Sequence, residues 1–368
     1  MKPESKFIAY GDLVAWLGDV ASRMRLVVPR AEGSAVVYRD FDPALPLELT
    51  RKATESAKHV LFPRSEPLLA YEKNKPSFVL AKLGAETPDD VAATPLLALS
   101  EPEDPKPTVV FGLLGCDAGG VGTFDPVFGG RRFPDPYYLK KRNATILIAR
   151  ACSEVLHTCF CHWVGGDPAN RRDADILATD IGDGWLLEPL ADRAAAVLDA
   201  ALLTTAAAKQ QKAAAERHAA ARAALSPAPD LHNAEASLLG CFNNTDFWRE
   251  QAAGCLACGI CTYLCPTCHC FSITDESSGQ TGVRLRSWDT CMSALYTLEA
   301  SGHNPRPTKA ERLRNRIGHK FSYFVGNHDG RISCCGCGRC IKSCPSSVDI
   351  REIVLAALAQ ESKEAAHG

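Results

Sequence analysis

Long apolar runs are missing from this chain. Although 46% of its 368 residues are hydrophobic, no run reaches the roughly 18 residues that a membrane-spanning helix needs. A basic excess is missing too. Lys and Arg number 41 against 43 Asp and Glu, a formal net charge of -2, which argues against a nucleic-acid binder because nothing neutralises a run of phosphates. The two lysines in Met1–Tyr10 are not followed by the apolar core of a signal peptide, so the expectation is a cytoplasmic protein. No Ser/His/Asp set and no pair of carboxylates stands out as a catalytic constellation. The Gly119–Gly122 stretch lacks the full G-x-G-x-x-G of a dinucleotide site, and a tight loop explains it as well. The composition is that of an ordinary globular chain, long enough for two or three domains.

Cysteine, in contrast, is abundant. There are 17, and a secreted disulfide scaffold would be short and carry a leader. Here they cluster at metal-ligand spacing. Cys255, Cys258, Cys261 and Cys265 precede Pro266; Cys334, Cys337, Cys340 and Cys344 precede Pro345. Each run reads C-x2-C-x2-C-x3-C-P, the spacing that holds a cubane iron–sulfur cluster in bacterial ferredoxins. Zinc sites are built from C-x2-C pairs instead. In two-cluster ferredoxins the fourth cysteine ligates the other cluster. The expected sets are therefore Cys255, Cys258, Cys261 and Cys344 for one [4Fe–4S] cluster, and Cys334, Cys337, Cys340 and Cys265 for the second. Gly259, Gly336 and Gly338 suit a chain that must turn tightly and aim amides at sulfur.

Around these motifs the chain reads as an α/β N-terminal region followed by an α-helical dicluster ferredoxin module. The expected divisions are 1–107, an α/β subregion ending in a Pro- and acid-rich linker from Gly84; 108–235, an α/β region with a cysteine-rich loop and an alanine-rich helix; and 236–368, the ferredoxin module. Residues Lys6 to Phe41 read as helix then strand, with Leu13, Trp16, Leu17 and Val20 on one helical face. Thr108–Leu114 and Thr145–Ala149 read as buried strands, and Trp185–Leu187 as a further one. Ala191–Leu225 reads as one long helix or a helical pair. The long gap between Cys265 and Cys334 shows helix-like stretches at Thr290–Ala300 and Thr308–Tyr323. Arg131, Arg132, Lys140, Lys141 and Arg142 form a basic patch, a solvated face or a docking site.

A further set, Cys116, Cys152, Cys159 and Cys161, lies in the α/β region. Cys116 follows the first buried strand and Cys152 the second, which puts both at the sheet edge where α/β proteins place ligands. The four could hold a third cubane, with Asp117, His157 and His162 as substitute ligands. The alternatives are ordinary buried cysteines or a zinc site with histidine help. Cys268 and Cys270 read as small residues shielding a cluster, or as part of an additional site with Cys291 or Cys241. Cys335 reads as a spectator.

The residues Gly115-Cys116-Asp117, Pro134-Asp135-Pro136-Tyr137-Tyr138, Thr158-Cys159-Phe160-Cys161, Cys255–Phe271, Trp288-Asp289-Thr290-Cys291, Gly302-His303-Asn304-Pro305-Arg306, His319-Lys320-Phe321 and Cys334–Pro345 carry a resemblance over most of the chain. It resembles the iron–sulfur beta subunit of soluble sulfhydrogenases (NADP-linked [NiFe] hydrogenases) and the A-type subunit of anaerobic sulfite reductase. Where Leu113-Leu114-Gly115 precede Cys116, family members often carry Gly-Val-Arg-Pro before the Cys-Asp pair. The resemblance implies an electron relay between a flavin- and NAD(P)-binding subunit and a catalytic metal subunit of hydrogenase or sulfite-reductase type. The alternative readings are a catalytic reductase with a substrate or flavin site at the α/β cysteines, and a structural zinc protein.

Overall fold

The structure, a computed structural model, describes residues 4–73, 97–130 and 132–367. Part of the acid-rich linker expected from Gly84 and Arg131 of the basic patch lie outside them. The described residues build two sheets. The larger has eight strands: β1 (Lys6–Ala9), β2 (Arg25–Glu32), β3 (Ala35–Asp40), β6 (Thr108–Leu114), β7 (Thr145–Arg150), β8 (Ile176–Asp180), β9 (Gly184–Pro189) and β10 (Thr204–Thr205). Their order is β10-β1-β9-β8-β7-β6-β2-β3. The smaller sheet is antiparallel, in the order β11-β12-β4-β5, from β4 (Ser65–Lys73), β5 (Leu97–Ser100), β11 (Phe271–Ser278) and β12 (Thr281–Trp288).

Strands β2, β6, β7 and β8 run parallel. Every residue of β6 and β7 is buried, as expected for central parallel strands covered on both faces. One face packs Val109, Phe111, Ile146 and Ile148 against Trp16, Leu17 and Val20 of helix α1 (Leu13–Arg23). The other packs Val110, Leu113 and Leu147 against Phe62, Phe124 and Tyr138. Val110 and Leu113 share a face only because β6 slips register between Phe111 and Leu113. Gly112 sits in that irregularity at φ 74, where an added Cβ would lie 2.9 Å from Leu49. Such bulges re-aim the residues that follow. Here the next residues open helix α2 (Gly115–Val121), which carries Cys116.

Several elements differ from the sequence reading. A strand, β1, precedes helix α1, and β2 pairs with β6, so residues on both sides of position 107 build one sheet. The alanine-rich stretch is broken. It holds a short helical segment at Ala195–Leu198 and a long helix, α3, at Ala208–Ala223, the paired alternative of the sequence reading, and between them β10 pairs with β1, with Lys6 opposite Thr205. Strand pairing of Thr204 and Thr205 overrides the helical preference of their neighbours. Thr290–Ala300 is a series of turns, not a helix. The Thr290 hydroxyl accepts from the Met292 amide at 3.1 Å and the Ser293 hydroxyl from the Leu295 amide at 3.2 Å, local bonds that compete with a helix. After the short α4 (Ile260–Tyr263), helix α5 (Lys309–Gly318) does form, behind a Thr308–Glu311 capping box. The gap also holds the β11–β12 hairpin, closed by a two-residue turn with Gly279 at φ 62.

The hairpin ties the C-terminal part to the rest. β12 pairs with β4 over Ser65–Glu72, and buried Arg286 forks Glu66 at 2.8 and 2.6 Å and also bonds Asp135. A separate core of Phe247, Trp248, Leu313, Ile317, Phe321 and Ile353 fills the C-terminal part, and Phe160 of the cysteine-rich loop inserts into it. Among the described residues, no helix is long and apolar enough to cross a membrane.

Candidate metal centres

The two cysteine runs fold into matching loops. In the first, Ala257 and Gly259 have φ 55 and 76; in the second, Gly336 and Gly338 have φ 60 and 72. Each loop curls through two left-handed residues and opens a four-residue helix, α4 after Gly259 and α6 (Arg339–Lys342) after Gly338. The curl turns backbone amides onto sulfur. Ala257 N–H lies 3.4 Å from Cys255 Sγ and Gly336 N–H 3.4 Å from Cys334 Sγ. After the second run, Val348 N–H donates to Cys344 Sγ at 3.3 Å.

Cys255, Cys258, Cys261 and Cys344 line one cavity, walled by Met292, Leu313, Ile317 and Ile353, and Cys340 of the second run also reaches it. Cys265 does not line it; its charge is felt at Cys334, Cys337 and Cys340 as well as at Cys261. Each run thus sends its fourth cysteine toward the other run. Cys258 is exposed, whereas Cys265 and Cys337 are buried, so the first set faces solvent and the second lies inside.

Cys116, Cys152, Cys159 and Cys161 gather around Lys52. Its ammonium donates to Cys159 Sγ at 3.2 Å and bonds the Cys337 carbonyl. Burial works against the Lys52 charge, but Cys116, Cys337 and Cys159 outweigh it and hold its pKa above the ordinary lysine value. Cys161 feels both Cys152 and Cys159, and burial pushes its thiol up to about 12. Helix α2 begins the link to the second loop. Asp117, right after Cys116, is buried and forks the guanidinium of Arg339, with one bond of 2.8 Å. Arg339 lies between Cys337 and Cys340, so this ion pair joins the third set to the second. The Asp117 carboxylate, a substitute-ligand candidate from sequence, is engaged there. His162, another, has Nε2 2.7 Å from the Ser226 carbonyl.

The glycines of α2 and its C-terminal end serve packing. A Cβ on Gly120 would lie 2.5 Å from Pro266, the residue after Cys265, and one on Gly122 would lie 2.2 Å from the Asp173 carboxylate. The Gly-rich stretch is a helix seated on the first cysteine run, not a phosphate loop. The remaining cysteines occupy defined places. Cys268 lies beside Cys265 and shifts its charge, Cys335 does the same at Cys337, and Cys291 at Cys270. Cys241 belongs to the C-terminal core, where its carbonyl accepts from Trp248 Nε1 at 2.8 Å.

A family model of the 4Fe-4S dicluster domain matches residues 254–348. The chain is also 30% identical over 243 residues to sulfhydrogenase 2 subunit beta of Pyrococcus furiosus, a match covering 66% of this chain and 71% of that protein. The chain belongs to the iron–sulfur beta-subunit family of sulfhydrogenases. It is an iron–sulfur electron-transfer subunit, and its dicluster domain holds [4Fe–4S] clusters. No solved structure matches it.

The residues present fit such clusters in charge as well as in sulfur. Lys58, Lys320 and Arg316 are each at most 4% exposed. Among the described residues their polar partners are sulfur, hydroxyl and backbone oxygens rather than carboxylates. Lys58 Nζ donates to the Cys268 carbonyl at 3.0 Å and stacks 4.1 Å over the Trp288 ring. Lys320 Nζ donates to Thr267 Oγ1 at 2.7 Å and the Ser333 carbonyl at 2.9 Å. Arg316 reaches the Cys261 carbonyl at 3.0 Å and Cys268 Sγ at 3.5 Å. Burying cations without counter-charge is costly, and thiolate-bound clusters supply that charge. Burial lowers the pKa of Lys58. At Lys320 burial acts the same way, but Cys265 and Cys268 overcome it and raise the pKa. Sequence reasoning missed these cations. The one signal is the four-residue spacing of Arg312, Arg316 and Lys320, which lays a basic stripe along a helix whose other face must be buried.

Proposed function

We propose that this subunit relays single electrons in the cytoplasm between a flavin- and NAD(P)-binding subunit and a catalytic subunit of hydrogenase or sulfite-reductase type. One [4Fe–4S] cluster is assigned to Cys255, Cys258, Cys261 and Cys344, a second to Cys334, Cys337, Cys340 and Cys265, and a third to Cys116, Cys152, Cys159 and Cys161. The observation that carries the reading is the cavity that Cys344 shares with the three leading cysteines of the first run; the influence of the Cys265 charge on Cys334, Cys337 and Cys340 supports the reciprocal half. Bound clusters supply the one-electron chemistry. The chain's own residues fix position and charge. Amides of Ala257, Gly336 and Val348 point at sulfur, which favours the more negative, reduced state. Lys52 and Arg339 tie the third set to the second, Arg316 lies between the second and the first, and exposed Cys258 marks the surface end.

The test is iron and acid-labile sulfide per chain on anaerobically purified protein, with EPR of the reduced sample. About twelve irons per chain is the expected result; about eight removes the third cluster, and none removes the reading.

A second reading, a reductase with a substrate or flavin site at the α/β cysteines, is favoured by one feature. A cavity of about 480 Å³ opens beside Cys116 and Cys161, with Asn170, Arg172 and Arg331 in its wall, within the usual size of small-molecule sites. Flavin retained by the isolated chain, or turnover without partners, selects this reading.

A further inference from the structure

Two cysteines outside the three proposed sets lie against each other at the base of the hairpin. Cys270 immediately precedes β11, and Cys291 follows β12 by three residues. The Asp289 amide donates to the Cys270 carbonyl at 3.0 Å, extending the ladder beyond the Phe271–Trp288 pair. The two chain ends are therefore held side by side. Their thiols lie close enough to act on each other's charge, and the Tyr296 hydroxyl acts on the Cys270 sulfur. Both residues are partly exposed.

Toward the interior the sulfur series continues. Cys291 feels the charge of Cys268, and Cys268 lies beside Cys265, which is assigned to the second cluster above. Among the described residues, no three His, Cys, Asp or Glu side chains are grouped to hold a single metal ion. What the hairpin base offers is two neighbouring thiols, on backbone already paired, beside a one-electron carrier.

We propose that Cys270 and Cys291 form a reversible dithiol–disulfide centre, a two-electron store in contact with the relay. The proposal rests on the relay reading. On oxidation the two thiols release two protons to water, the Sγ–Sγ bond forms, and two electrons leave singly to oxidised iron–sulfur clusters. On reduction the Sγ–Sγ bond breaks, two electrons arrive singly from reduced clusters, and water supplies two protons. Attack and release at sulfur need access and a thiolate, and the Tyr296 hydroxyl favours the charged form of Cys270.

The experiment uses the full-length, cluster-loaded protein. It is poised anaerobically with dithionite or with oxidised thionine, quenched in acid, unfolded and alkylated with N-ethylmaleimide, and its peptides are weighed. The expected result is two alkylated thiols after dithionite and an unalkylated, linked Cys270–Cys291 peptide pair after thionine. Cys270→Ser is expected to abolish the link and keep the wild-type iron content. Full alkylation of both thiols at the oxidising poise overturns the proposal. So does a loss of about four irons per chain in both Cys270→Ser and Cys291→Ser, which would make the pair cluster ligands. Iron content of the wild-type protein reports separately on the relay: an iron-free protein refutes that reading, whereas an iron-replete protein with both thiols always alkylated refutes the disulfide alone.

Discussion

Replacing Lys320 by Met removes one buried positive charge beside the second cysteine set and keeps most of the side-chain volume. Lys320 Nζ bonds Thr267 Oγ1 at 2.7 Å, and that hydroxyl lies 3.2 Å from Cys265 Sγ. Two hydrogen bonds therefore separate the ammonium from the Cys265 sulfur, assigned to the second cluster. At about 7 Å and an effective dielectric of about 20, a unit charge is worth roughly 2.4 kcal/mol. For a one-electron couple, where 59 mV is a tenfold change, that is about 100 mV. The sign follows from charge. Reduction adds an electron to a site that Lys320 stabilises, so Lys320→Met lowers the potential of the second cluster. Lys320→Arg keeps the charge and is expected to shift it far less. The assay is an EPR-monitored redox titration of the loaded protein, with iron content measured on the same samples. A shift below about 20 mV in Lys320→Met with full iron content would refute the electrostatic role assigned here.

Other perturbations address the joints between the sets. Asp117→Asn leaves the Arg339 guanidinium buried without its carboxylate, and the expected cost is about 3–5 kcal/mol, read by denaturant unfolding under anaerobic conditions. Gly338→Ala forces a Cβ to 2.1 Å from the Thr158 carbonyl at φ 72, so iron content falls, whereas Gly279→Ala in the exposed turn, with nothing within 4 Å, leaves iron unchanged and only strains the turn. Cys265→Ser and Cys344→Ser are expected to alter different EPR signals: the first changes the signal also altered by Cys337→Ser, the second the one altered by Cys258→Ser. The opposite assignment would show that each run closes its own cluster.

How much of this was readable in the sequence depends on how local each determinant is. The cysteine spacing is local, and the loops it forms share one backbone course. Strands β6 and β7 are continuous apolar runs because both of their faces are covered, so Thr108–Leu114 and Thr145–Ala149 stand out. The β11–β12 hairpin does not. From Ile273 to Ser278 every residue of β11 is exposed, and a strand with no buried face carries no apolar alternation. Its place is fixed instead by β4, more than 200 positions away in sequence, through the Arg286–Glu66 fork. The buried cations were equally hidden. Lys52 and Lys58 lie in a stretch without regular pattern, and only the fold carries them to Cys159 and Cys268.

The two cysteine loops differ at one informative position. Both need a left-handed residue between their first and second ligands, and the first run uses Ala257 at φ 55 where the second uses Gly336 at φ 60. Conformation alone does not require the glycine, because alanine adopts the same φ in the companion loop. Contact does. A Cβ on Gly336 would lie 2.4 Å from the Phe160 carbonyl and 2.5 Å from the Cys161 backbone. The Phe160 amide in turn donates to the Gly336 carbonyl at 2.8 Å. The second loop is therefore shaped to receive the Thr158–Cys161 segment backbone to backbone, and the first is not. Gly338, against the Thr158 carbonyl, repeats the same requirement. The glycines of the second run thus encode a junction as well as a metal loop. They bring the Thr158–Cys161 segment against the second cysteine loop and leave the first loop, at Cys258, facing solvent. An asymmetry that spacing alone cannot express is written in the choice between alanine and glycine.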